Sequence, residues 1–140
     1  MNEHFEYAGK IEDVSPEDVD RQQAEVLRHP MPGIVTLAFQ HDTGGTVTYE
    51  YPELIAVCPM TGIPDIYTLR VIYVPQDKIP ELKSLRMYLL AYRNLPILHE
   101  HLICRIFDDF TDTVAPRCLR VELDVAVRGG IHTTAVKESE

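Results

Sequence analysis

The chain has no tryptophan and no apolar run near the roughly 20 residues that a membrane helix requires, so no transmembrane segment is predicted. Its first residues, MNEHFEYAGK, lack the charged-then-apolar pattern of a signal peptide, and a cytosolic protein is expected. Cysteine is scarce: Cys58, Cys104 and Cys118 are odd in number and widely spaced, which argues against a disulfide framework. No CxxC pair marks a structural zinc site, and free thiols in a reducing compartment fit best. Positive charge is scarce too. Thirteen Lys and Arg stand against 22 Asp and Glu, for a net charge of −9. Binding to nucleic-acid phosphates needs a basic surface, so no direct nucleic-acid partner is expected. A local cationic patch for a small anionic ligand remains open.

What is present suits one globular domain: 140 residues, 45% of them hydrophobic. The acid excess is concentrated at the start. Residues 1–25 hold Glu3, Glu6, Glu12, Asp13, Glu17, Asp18, Asp20 and Glu25 against Lys10 and Arg21. They read as an acidic, partly flexible leader over 1–26 with little to bury, ahead of a body over 27–140. Within the leader, Ser15 and Pro16 of "SPED" have the form of an N-cap and a first helical residue.

In the body, "GIVTLAF" (33–39) and "VTYEY" (47–51) read as strands joined by the turn "HDTGGT" (41–46), which suggests a hairpin. "IYTLRVIYV" (66–74), β-branched and aromatic, reads as a long buried strand. Pro80 and Glu81 then open a helix with Leu82, Leu85, Leu89 and Tyr92 at helical spacing. A second helix carries Leu98, Leu102, Ile106 and Phe110 on one stripe and stops at Pro116. The remainder alternates: Leu119, Val121, Leu123, Val125 and Val127 face one way, Arg120, Glu122, Asp124 and Arg128 the other. "RGG" (128–130) suggests a bulge or bend. The fold class expected is α+β, an antiparallel sheet with two helices on one face. Exposed edges in so small a sheet invite pairing with other subunits.

The chemical candidates cluster in "CPMTGIPD" (58–65). Cys58 is compatible with a buried core thiol. It also sits at a strand-to-turn boundary, where free backbone amides can stabilise a thiolate and so make a nucleophile. Asp65, beyond a Pro/Gly-stiffened loop, is either a turn residue or a general acid/base held near Cys58. His99 and Glu100, adjacent at a helix start, can flank one pocket. His99 and His101 with a cysteine form a weak metal pattern, because helical zinc pairs are usually four apart. Lys83 and Arg86, three apart, form either a solvated stripe or a clamp for a phosphorylated ligand. Cys104 and Cys118 are read as structural.

Taken together, "CPMTGIPD", "ELKSLRMY" (81–88), "RN" (93–94) with "HE" (99–100), and "RGGI" (128–131) resemble the NADPH-dependent 7-cyano-7-deazaguanine reductases (QueF), in their short single-domain form. These are the nitrile reductases of queuosine biosynthesis. The likeness runs from about Leu54 to Ile131. It implies a tunnelling fold (T-fold) in which strands of several subunits close a barrel, as a ring or two stacked rings, with active sites between subunits. It implies Cys58 as the nucleophile that forms a thioimide with the nitrile, Asp65 as the acid, and His99 as a pocket residue that assists proton transfer. Glu100 would read the guanine-like edge, with Pro80, Glu81 and Leu82 adding substrate contacts. Lys83, Ser84 and Arg86 would hold NADPH, a co-substrate. No flavin or metal is implied. Arg86 stands where the family's helix signature usually has lysine. Three other readings stay open: an amidine-forming relative that uses ammonia on tRNA, a zinc cyclohydrolase-like enzyme on the same fold, and a non-catalytic purine or pterin binder.

Overall fold

The computed structural model describes residues 15–40 and 44–140. Residues 1–14 of the expected leader, and 41–43 of the expected turn, lie outside the described residues. The first helix, α1 (Pro16–Leu27), starts as its sequence suggests. Ser15 is the N-cap and its side chain accepts from Asp18 N, Pro16 opens the helix, and Glu17 and Asp18 occupy the first turn. This helix crosses the expected leader–body boundary, and its Gln23 and Val26 are buried. Those two residues overturn the expectation that the leader has little to bury.

Among the described residues, six strands follow in the order β1 (Thr36–Ala38), β2 (Val47–Val57), β3 (Pro64–Val74), β4 (Lys78–Pro80), β5 (Cys118–Arg128) and β6 (Ile131–Glu138). Helices α2 (Leu82–Leu90) and α3 (His99–Val114) lie between β4 and β5, with a 3-10 turn over Ala91–Asn94. The main sheet has the order β2-β3-β5-β6 and is antiparallel throughout. β1 pairs with β4, not with β2, so the expected β1–β2 hairpin does not form. β2 is taken along its whole length by β3, and Phe39 N donates instead to Asp77 O.

The sheet buries one face. Tyr67, Leu69, Val71 and Tyr73 of β3 and Leu119, Val121, Leu123 and Val125 of β5 pack against Leu102, Ile106 and Phe110 of α3, with Leu85 and Leu89 of α2. Each such side chain contributes about 1.5–3 kcal/mol by leaving water. Tyr73 meets Phe110 edge to face, with ring centroids 5.1 Å apart. Val127, expected on this face, is 63% exposed, because the β5–β6 register shifts between Val125 and Arg128. The expected bend is a two-residue turn at Gly129 and Gly130, both at positive φ, as the tight turn of a twisted hairpin requires.

Two local features tie the helices and the edge strand into this frame. Arg105 of α3 donates to the carbonyls of Val26, Leu27 and His29, satisfying the open C-terminal end of α1, and pairs with Asp109 at 3.0 Å. Pro52 and Glu53 of β2 face the single residue Thr68, since Tyr51 pairs with Leu69 and Leu54 with Tyr67. This is a β-bulge at a proline, tolerated because β2 is an edge strand. It reverses the phase of the strand. After it the even-numbered Leu54 and Ala56 are buried, whereas odd-numbered Tyr49 and Tyr51 face the core before it. No helix among the described residues is long and apolar enough to cross a membrane.

Candidate active site

The β2–β3 hairpin places Ala56 opposite Asp65 and Val57 opposite Pro64, so Cys58 and Asp65 stand at the two ends of one turn. Cys58 N donates to Ile63 O and Gly62 N to Cys58 O, both at 2.9 Å. Gly62 adopts φ 73°, a conformation glycine takes freely. Ile63 N donates to Thr61 Oγ1. The amides of Cys58, Gly62 and Ile63 are therefore committed to holding the turn, and the expectation that amides there lie free for a thiolate fails for these three. The thiol itself is half-buried.

A second backbone joint brings in the α3 end. Val57 N donates to Leu95 O and Ile97 N to Val57 O, a short parallel bridge beside Pro96. His99 and Glu100, the first two residues of α3, come directly after it. Gln23 of α1 closes the joint from outside. Its amide donates to Pro96 O at 2.9 Å, accepts from Leu98 N at 2.9 Å, and lies 3.1 Å from His101 Nδ1. His99 is bound differently: its Nδ1 is 2.7 Å from the Tyr67 hydroxyl. The two histidines are thus drawn through Nδ1 to separate partners, on β3 and α1.

Asp65 is only 7% exposed. Burial pushes its carboxyl above the usual carboxylate range, and the Arg128 guanidinium pulls part of that back. The Arg128 guanidinium arrives from the β5–β6 hairpin, with Nη1 3.5 Å from Asp65 Oδ1 and Nη2 donating to Pro64 O at 2.5 Å. Tyr67, buried beside them, feels Asp65, Cys58 and Glu100, and its phenol is pushed far above its ordinary range, chiefly by burial. Cys58, Asp65, His99 and Glu100 therefore share one electrostatic neighbourhood. Tyr67 and Gln23 went unnoticed in the sequence because their burial and partners are long-range. Arg128 was visible on the polar face of the last alternation and in the "RGGI" likeness, but its partner Asp65 was not.

The remaining expected site residues sit on α2 or directly before it. Pro80 is buried as the last residue of β4, paired with Thr36, so it does not open the helix. Glu81 is extended and caps α2, its two carboxylate oxygens accepting from Lys83 N and Ser84 N. The charge that suits the helix dipole thus acts one position before the helix rather than inside it. Ser84 Oγ accepts from Val35 N and donates to Glu81 O, both at 2.8 Å. Leu82, Lys83 and Arg86 are exposed. Among the described residues, no hydrogen bond, ion pair or ring contact joins this group to Cys58 or Asp65. A cavity of about 150 Å³ by Tyr88, Arg105 and Asp109 holds none of the expected site residues.

Known proteins resemble this chain. The family model described as "QueF-like protein" matches residues 64–140. A protein of Anaeromyxobacter sp. (strain K), named NADPH-dependent 7-cyano-7-deazaguanine reductase, is 51% identical over 87 residues, covering 62% of this chain and 71% of the relative. One of the same name from Caldanaerobacter subterraneus subsp. tengcongensis (strain DSM 15242 / JCM 11007 / NBRC 100824 / MB4) is 36% identical over 124 residues, covering 89% of this chain and 86% of the relative. Among solved structures, the archaeosine synthase QueF-Like in the apo form matches with a TM-score of 0.57 and 23% identity, over 79% of this chain and 96% of that one. That likeness concerns the fold alone, and it agrees with the α+β T-fold architecture. In sequence and in fold, the chain belongs to the QueF family, with the NADPH-dependent 7-cyano-7-deazaguanine reductases.

Proposed function

We propose that the chain reduces the nitrile of 7-cyano-7-deazaguanine to an aminomethyl group, using two NADPH and a thioimide on Cys58. The observation that carries the reading is Asp65, nearly buried and one turn from Cys58, its carboxyl held above the ordinary range. A nitrile is a weak electrophile. As the Cys58 sulfur bonds to its carbon, negative charge gathers on the nitrogen, and Asp65 supplies the proton that quenches it. NADPH, when bound, supplies one hydride to the thioimide carbon and a second to the later imine. Between these steps the carbon–sulfur bond breaks and Cys58 leaves, and each hydride is matched by one proton. Cys58 and Asp65 must then straddle a small linear group, which suits the ends of a turn held by the Cys58–Ile63 and Gly62–Cys58 backbone hydrogen bonds.

Glu100, an acceptor-only carboxylate, suits the paired N–H donors of a guanine-like edge, with His99 beside it. The carboxylate of Glu81 and the hydroxyl of Ser84 are engaged in capping α2 and holding Val35. This leaves the exposed Leu82 for substrate, and the exposed cations Lys83 and Arg86 for the NADPH phosphates. A ring of subunits would pair the edges β2 and β6 and complete each site across an interface. Exposed Ile66, Val127, Ile131 and Val136 on the sheet, and a Glu100 open to solvent in the single chain, favour such an assembly.

The test is intact mass on the protein mixed with 7-cyano-7-deazaguanine, then with NADPH. A mass gain equal to the substrate, lost as NADPH is oxidised, is the expected result. An adduct indifferent to NADPH but released by ammonia would transfer the chain to amidine chemistry. Tight binding with no adduct would leave a purine binder.

A further inference from the structure

Tyr67 is 1% exposed, and its hydroxyl makes one hydrogen bond among the described residues, 2.7 Å to His99 Nδ1. The ring meets the imidazole edge to face at 5.4 Å, which fixes the imidazole plane as well. A buried phenol keeps a hydrogen-bond partner, because an unpaired O–H in the core is costly. Burial and the nearby Asp65, Cys58 and Glu100 all oppose its ionisation, so the oxygen retains its proton. The acceptor within reach of that proton is His99 Nδ1. A nitrogen that accepts carries no proton, and a neutral imidazole then holds its proton on Nε2.

We infer that Tyr67 is a positioning residue that locks His99 in the Nε2–H tautomer, so that His99 serves the site as a hydrogen-bond donor beside the Glu100 acceptor. A donor and an acceptor on consecutive residues match a heterocycle edge that carries a carbonyl next to N–H groups. The catalytic consequence rests on the proposed nitrile reduction, whereas the tautomer does not.

The experiment uses the full chain labelled with 15N-histidine. Two-bond proton–nitrogen correlations report which ring nitrogen is protonated, and a His99→Gln variant identifies the signals among the six histidines. The wild type is expected to show a single Nε2–H tautomer for His99. Tyr67→Phe is expected to give a mixture, and to slow adduct formation on Cys58 at subsaturating substrate roughly tenfold, about the worth of one hydrogen bond, through weaker substrate binding. Tyr49→Phe removes a comparable phenol bond, to Tyr73 at 2.9 Å, and should leave that rate unchanged. An Nδ1–H tautomer in the wild type overturns the inference even if no variant folds. So does a Tyr67→Phe protein with unaltered tautomer and rate. An Nε2–H tautomer in a protein that forms no adduct would sink the nitrile reading and leave Tyr67 in its role.

Discussion

Gln23→Leu keeps the size of a side chain that is 1% exposed but deletes the amide that ties α1 to the entry of α3. Two backbone groups lose their partner, Pro96 C=O and Leu98 N–H. Leaving a buried polar group unpaired costs about 1–3 kcal/mol, so the pair costs roughly 2–6 kcal/mol. The leucine returns about 1 kcal/mol through its apolar surface, and a net loss near 3 kcal/mol results. For a chain of this length, 1 kcal/mol moves the thermal midpoint by about 3 °C, so the midpoint should fall by roughly 10 °C. Substrate affinity should fall with it, because Leu98 directly precedes His99 and Glu100. The assay is thermal unfolding beside substrate titration, with the exposed Asp20→Ala as control, expected within about 0.5 kcal/mol of wild type. A Gln23→Leu midpoint within about 2 °C of wild type would refute the account of the joint. A full loss of stability with unchanged affinity would cut α1 out of the site.

Other consequences are open to test. Cys58→Ala should form no adduct with 7-cyano-7-deazaguanine by intact mass, and a persisting adduct would remove the nucleophile assignment. Asp65→Asn should slow turnover far more than it weakens binding. It should also raise stability at neutral pH. The folded carboxyl titrates above its ordinary value, so the unfolded chain ionises first as pH rises, and the folded state loses stability through that window. Midpoints of the two proteins should converge below the ordinary carboxylate range, and equal midpoints at every pH would contradict the burial argument. Glu100→Leu should weaken substrate binding by roughly 1–3 kcal/mol, read by calorimetry, and a defect confined to turnover would speak against base recognition. Replacing both Lys83 and Arg86 with alanine should raise the KM for NADPH at least tenfold while the NADPH-free adduct still forms. An unchanged KM would move the phosphate site elsewhere.

The helix start at Ser15–Pro16, the stripe Leu102, Ile106, Phe110 and the alternation Leu119–Val125 were legible because each is a local pattern of caps and periodicity. The same locality misled the reading at Pro80, where the form of a helix start gave way to pairing with Thr36, and at Val127, where a register shift broke the alternation. The β1–β2 hairpin failed because partner choice between strands depends on the whole sheet. Cys58, Asp65, His99 and Glu100 could be singled out by residue type and by likeness to a family. That they share one neighbourhood was not in any local signal.

Apart from β4, the order and type of the main elements, the acidic balance and the chemistry on offer were determined by the sequence alone, since propensity, capping and period act within a few residues. Only the tertiary structure decided which groups meet. The bulge at Pro52–Glu53 reverses the phase of β2 just before Cys58, and Tyr67 reaches His99 across 32 residues. Gln23 reaches Pro96 across 73 and Arg128 reaches Pro64 across 64. Such contacts form only when the core closes around them, because it is the loss of water that makes an unpaired amide, phenol or carboxyl costly enough to select its partner.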